Sequence, residues 1–195
     1  MRLLRNLLAL VGAASLIVMA VVILAFEPYV NKARSLDDVA LGVYANMART
    51  ILETGDPMTA MVYQRQVVAQ RSITEVEKHL EEAAAELGVH SLGTLHVQRE
   101  VLARAGRSFP LLNAYLFCDP DLATDLMALN PAMAAFLPCR VILYQDERGR
   151  LWLMSPNLDL VIHGGRPLPL ALQERALGLQ DTLREMVDRA AGIST

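Results

Sequence analysis

Leu111-Leu112-Asn113-Ala114-Tyr115-Leu116-Phe117-Cys118-Asp119-Pro120 is the stretch on which the fold of this chain turns. Its first eight residues, apolar or aromatic except Asn113, read as a strand. Asp119-Pro120 then supplies an N-cap and an N1 proline for a short helix carrying Leu122, Leu126 and Leu129. Asn130-Pro131 breaks that helix, and Pro138 introduces a second apolar strand, Cys139 to Gln145. Asp146-Glu147-Arg148-Gly149 is a turn into Leu151–Met154, so these two runs predict a hairpin that Pro156 ends.

The pattern extends both ways. Upstream, Met61 to Gln70 is Val-rich and loosely alternating, a strand; Ser72-Ile73-Thr74-Glu75 is a capping box opening a helix through Val76, Leu80, Ala84 and Leu87, closed by Gly88. Leu92 to Gln98 predicts a weaker strand, and Arg99 to Ala105 a short helical turn. Downstream, Gly164 to Pro169 is a Pro-rich loop before a last helix over 170–190, with Leu172, Ala176, Leu179, Leu183, Met186 and Val187 along one side. Helices set against about five mostly antiparallel strands make an α+β domain over 58–195.

The first 27 residues are of another kind. From Leu7 to Phe26 no residue is ionisable, and at about 1.5 Å per residue that run crosses about 30 Å of hydrocarbon. It ends in Ile23-Leu24-Ala25-Phe26, bulky where a cleavage site needs small residues, so it reads as an uncleaved single-pass anchor. Arg2, Arg5 and the α-amino group precede it and Lys32 and Arg34 follow, which narrowly places the N-terminus in the cytoplasm and the domain in the periplasm, on the outer face of a bacterial inner membrane. Residues 28–57 predict a juxtamembrane amphipathic helix: Ser35 as N-cap, Leu36, Val39, Val43, Tyr44, Met47 and Ile51 as an apolar stripe, and Gly55-Asp56-Pro57 as its end. That stripe packs either on its own domain or on lipid or a partner's helix.

Ala114-Tyr115-Leu116-Phe117-Cys118-Asp119-Pro120, then Asn130-Pro131, then Leu137-Pro138-Cys139-Arg140-Val141-Ile142-Leu143-Tyr144 resembles the signature of the family known as domain of unknown function 302. Asp119 stands where that family usually has Asn, and Asn130 where an acidic residue is usual. The resemblance covers roughly Thr59 to Pro156 and marks Asp119, Pro120, Leu137, Pro138 and Arg140 as motif positions. It implies a TATA-binding-protein-like antiparallel sheet with helices packed on one face, often dimeric, and no established catalytic activity.

Composition and motifs narrow the chemistry. A net charge of −3 with scattered Lys and Arg argues against a nucleic-acid partner. Cys118 ends one strand and Cys139 begins another. The pair reads as buried reduced thiols, as a disulfide in an oxidising compartment, or as a redox or metal pair. Two Cys without Cys-x-x-Cys or a nearby His make a poor zinc site, and neither a metal nor a cofactor is expected. His79, His90, His96 and His163 lack ligand spacing, although His163 before Gly164-Gly165 is placed to line a pocket. Gly164-Gly165-Arg166 lacks the length and the Lys-Ser of a phosphate loop.

The first expectation is therefore non-enzymatic: a membrane-tethered binding or accessory subunit of an integral membrane complex, with respiratory complexes as one class, or a homodimer. The second is a thiol-dependent redox or sulfur-compound role for Cys118 and Cys139.

Overall fold

A computed structural model of the chain describes residues 2–193. In chain order the elements are α1 (Arg2–Ala33), α2 (Ala40–Thr54), α3 (Pro57–Ala60), β1 (Val62–Gln66), α4 (Ile73–Glu86), β2 (His90–His96) and α5 (Val97–Ala105). They continue with β3 (Leu112–Cys118), α6 (Pro120–Leu129), a 3₁₀ segment (Pro131–Phe136), β4 (Cys139–Gln145), β5 (Leu151–Pro156), α7 (Asp159–His163) and α8 (Leu170–Ala191). The domain is α+β. Its five strands form one antiparallel sheet in the order β1-β5-β4-β3-β2.

Local chemistry sets most boundaries. The Ser72 hydroxyl accepts from the Glu75 N–H while the Glu75 carboxylate accepts from the Ser72 N–H at 2.7 Å, the expected capping box of α4. Asp119 accepts from the Leu122 N–H at 2.9 Å, and Pro120 occupies the first turn of α6, where a missing N–H costs nothing. Asn130 closes α6 with its own N–H and opens the 3₁₀ segment by accepting from the Ala132 N–H. Gly192 ends α8 at φ 85°; a Cβ there would lie 2.7 Å from a Val68 methyl, so only glycine lets the helix end this close to the β1–α4 connection.

Side-chain alternation along the strands gives the sheet two different faces. On one, Tyr115 and Phe117 of β3, Val141 and Leu143 of β4 and Leu153 of β5 are buried in a single core with Val76 and Leu80 of α4 and Leu183, Met186 and Val187 of α8. The other carries Leu112, Leu116, Ile142, Tyr144, Trp152 and Met154, all half-buried, with Arg140 exposed among them.

The structure departs from the sequence reading around the juxtamembrane segment. Helix α1 does not stop at Pro28 but runs on to Ala33, and Ser35 is not an N-cap: its hydroxyl donates back to the Lys32 carbonyl. Helix α2 starts only at Ala40, after Val39, because Asp37 accepts from the Val39 N–H and so holds the intervening turn. The short elements α3 and α7 and the 3₁₀ segment were not expected. At four to six residues they leave too little periodicity to read.

Candidate functional site

The two cysteines arrive at one end of the sheet, as their positions at the end of β3 and the start of β4 require. The register separates them. Cys139 lies opposite Phe117, while Cys118 pairs across to His90 on β2. Both are free thiols. Burial, with the neighbouring Cys118 adding to it and Arg140 opposing, pushes Cys139 up to about 11, and burial with the Asp119 carboxylate raises Cys118. Reactive cysteines are tuned the other way, toward the thiolate. Arg140 lies on the far face of β4, exposed.

Between this end of the sheet and the helices sits a small apolar hollow of about 30 Å³, with Cys139 in its wall. Leu122 and Leu126 of α6, Met133 of the 3₁₀ segment, Leu137, Ile162 of α7 and Leu179 of α8 line it. The motif residues therefore have separate tasks. Asp119 and Pro120 start the helix that walls the hollow, Leu137 lines it, and the cis Leu137–Pro138 peptide delivers the chain to Cys139.

A polar cluster on the other side of α7 was not anticipated. Asp37, buried three residues before α2, donates its N–H to the Gly165 carbonyl at 2.9 Å. Its carboxylate lies 3.3 Å from His163 Nδ1 and accepts from Gln173 Nε2 at 3.3 Å. The Tyr44 hydroxyl donates to the Gly164 carbonyl. Four residues past α1, the chain is thus clasped to the end of α7 and the first turn of α8. The Gly164-Gly165 loop, no phosphate cradle, offers its carbonyls to the juxtamembrane segment. The sequence alone gives neither Asp37 nor His163 a partner, because a contact across 126 residues has no local signature.

The apolar stripe is divided by this clasp. Leu36, before α2, and Val43, Met47 and Ile51 along it are half-buried, and Val43 and Met47 border a cleft shared with Met61 and Leu160; Val39 and Tyr44 are more exposed. Two further buried polar sets were also missed. Tyr115 donates to Glu77 at 2.6 Å, with Asn113 and His96 alongside, and burial with this carboxylate raises the Tyr115 phenol strongly. Asp188 of α8 accepts from the Tyr63 hydroxyl at 2.7 Å and from Arg65 Nε at 2.8 Å. Both tie a helix to the sheet.

The Val39 N–H, followed by His163 and Gln173, holds Asp37 below the usual carboxylate range against its burial. A carboxylate depressed in the folded state stabilises above its unfolded value, near 3.8, and that contribution is lost as pH falls through the lower folded value. Asp37→Ala is expected to destabilise the protein by about 1–2 kcal/mol at pH 7, the range for losing such hydrogen bonds. Asp37→Asn keeps an acceptor for Val39, so its loss should be smaller and its stability flatter between pH 5 and 2, as about three pH units bracketing the titration would reveal by thermal unfolding.

The sequence model of the family described as "Domain of unknown function DUF302" matches residues 63–190, from β1 through almost all of α8, farther than the motifs alone indicate. The fold is similar to that of the crystal structure of an uncharacterized conserved DUF302 protein from Bacillus stearothermophilus. The TM-score is 0.54 at 24% identity, over 67% of this chain and 98% of that one. No curated protein matches.

Proposed function

Because the chain belongs to the DUF302 family, a domain of unknown function, we propose that it serves as a membrane-tethered, non-catalytic binding subunit of an integral membrane complex. One observation carries the reading. The first helix is exposed from Ala9 to Ala33 and apolar as far as Phe26, long enough to cross a bilayer, and the chain is clasped to the domain only four residues after Ala33. Such a linkage holds the domain close to the membrane and limits how far it can swing, which suits a docking role better than a free-swinging tether does.

The sheet face bearing Ile142, Tyr144, Trp152 and Met154 is the surface offered to the partner: apolar, contiguous across β4 and β5, and edged by Arg140. Arginine and aromatic residues dominate binding energy at interfaces. In a bacterial cell the proposal puts the domain on the outer face of the inner membrane, the side that the charge bias around α1 narrowly favours. The thiol-dependent alternative receives less support, since both thiols are shifted away from ionisation.

Blue-native electrophoresis of membranes solubilised in mild detergent provides the test. Wild-type protein is expected to migrate in an assembly larger than twice its own mass, and Ile142→Glu to fall back to the single chain. Migration of the wild type as a lone chain would remove the proposal, and a species of twice the chain mass would replace it with a homodimer.

A further inference from the structure

The hollow beside Cys139 and the clasp at Asp37 share two elements. Ile162 lines the hollow and its neighbour His163 meets Asp37; Gln173 meets Asp37 and Ala176, one turn on in α8, lines the hollow. The α7 and α8 walls of the hollow therefore stand one residue and one helical turn from the contacts that hold the chain after α1. Four residues join Ala33 to Asp37, a reach of about 14 Å at most even fully extended. The hollow is consequently held within reach of the lipid headgroups, provided α1 spans the membrane as proposed above.

Its walls are suited to one kind of occupant. Almost every lining side chain is apolar, and the one carboxylate among them, Asp119, is engaged with the Leu122 N–H and lies 3.7 Å from Arg175. A polar or charged ligand would lose its hydration there without replacement partners. Of the large apolar side chains in its wall, Phe136 is 43% exposed and marks the side on which the hollow meets the surface. The space of about 30 Å³ is of the order of one methyl group or one water, so it admits the tip of a chain. Deeper entry moves Met133, whose flexible thioether re-packs readily, and the half-open Phe136 ring.

From this we infer that the hollow between α6, the 3₁₀ segment, α7 and α8 is a binding site for the end of a membrane phospholipid acyl chain, entered from the bilayer in which α1 sits. The inference rests on the tethered reading, and the experiment separates the two. Full-length protein is reconstituted in vesicles of phosphatidylethanolamine and phosphatidylglycerol containing a small share of phosphatidylethanolamine with a diazirine at the end of one acyl chain. After irradiation, adducts are mapped by mass spectrometry.

Adducts are expected both in α1 and on Met133, Leu137 or Leu179. Ala123→Phe, which fills the hollow from its rim, should reduce the hollow adducts about tenfold while leaving those in α1 unchanged. Thermal unfolding of the variant checks that the domain is intact, and the wild-type map decides the matter even if it is not. Adducts in α1 with none in the hollow overturn the acyl-chain site and leave the tether standing. Adducts in neither overturn both, and hollow adducts that survive Ala123→Phe show the label reaching those residues by another route and sink the assignment.

Discussion

Deletion of residues 1–33 is expected to move the protein quantitatively from the carbonate-resistant membrane pellet into the soluble fraction, while the thermal midpoint of the remaining domain stays within a few degrees of the full-length value. The size of the effect follows from composition. Ten Leu, Ile, Val and Phe residues lie between Ala9 and Phe26, and each contributes about 0.3–0.6 kcal/mol to insertion at a helix centre, so their sum reaches several kcal/mol. The same helix touches little of the folded domain: its side chains from Ala9 to Ala33 are exposed, and the Asp37 clasp lies beyond the cut. A single Val18→Lys change supplies the graded version, since a central charge costs about 2.5–3.5 kcal/mol and should leave a mixed population. Full-length protein that stays soluble without detergent would contradict the assignment of α1 as a span.

Phe117→Ala should destabilise the domain by about 3–5 kcal/mol, the range measured when a buried aromatic ring is deleted from a core. Phe117 is 1% exposed, near the end of β3 opposite Cys139, and belongs to the core shared by β3, β4, α4 and α8. Leu116, its neighbour in sequence, points to the opposite face and is only half-buried, so Leu116→Ala should cost about 1 kcal/mol in the isolated protein. The pair is a direct test of which face the helices cover. Urea denaturation of both variants gives the two values, and comparable losses would mean that the helices do not define a single buried face. A Leu116 effect that grows when the membrane partner is present would place that partner on the outer face.

Three parts of the architecture could be read locally. The capping box at Ser72 and Glu75 and the Asp119-Pro120 start of α6 appear where residue type predicts them, because a cap is satisfied by atoms within three residues of itself. Strand β4 matches its expected limits, Cys139 to Gln145, because a proline before it and a turn after it bound an apolar run. The family motif was legible for the same reason, and its reach through α8 was not, since a long amphipathic helix resembles many others.

The candidate site divides along the same line. That Cys118 and Cys139 come to one end of the sheet follows from a strand, a short helix and a strand in succession; that they are offset in register and raised in pKa depends on how β3 aligns with β4 and on which helices lie above. Ser35 misled because its local spacing satisfied a capping rule while the turn was held by Asp37.

What the amino-acid order determined by itself is the division into an apolar first helix and an α+β domain, together with the limits of most elements, all of which depend on hydropathy, periodicity and atoms a few bonds apart. Only the tertiary structure decided that Asp37 meets His163 and Gln173, that α2 lies against α7, and that an apolar hollow forms beside Cys139 under α6, α7 and α8. The contacts of Asp37 and α2 join residues more than a hundred positions apart, and the energies of all three features depend on burial and orientation, which no short window of sequence contains.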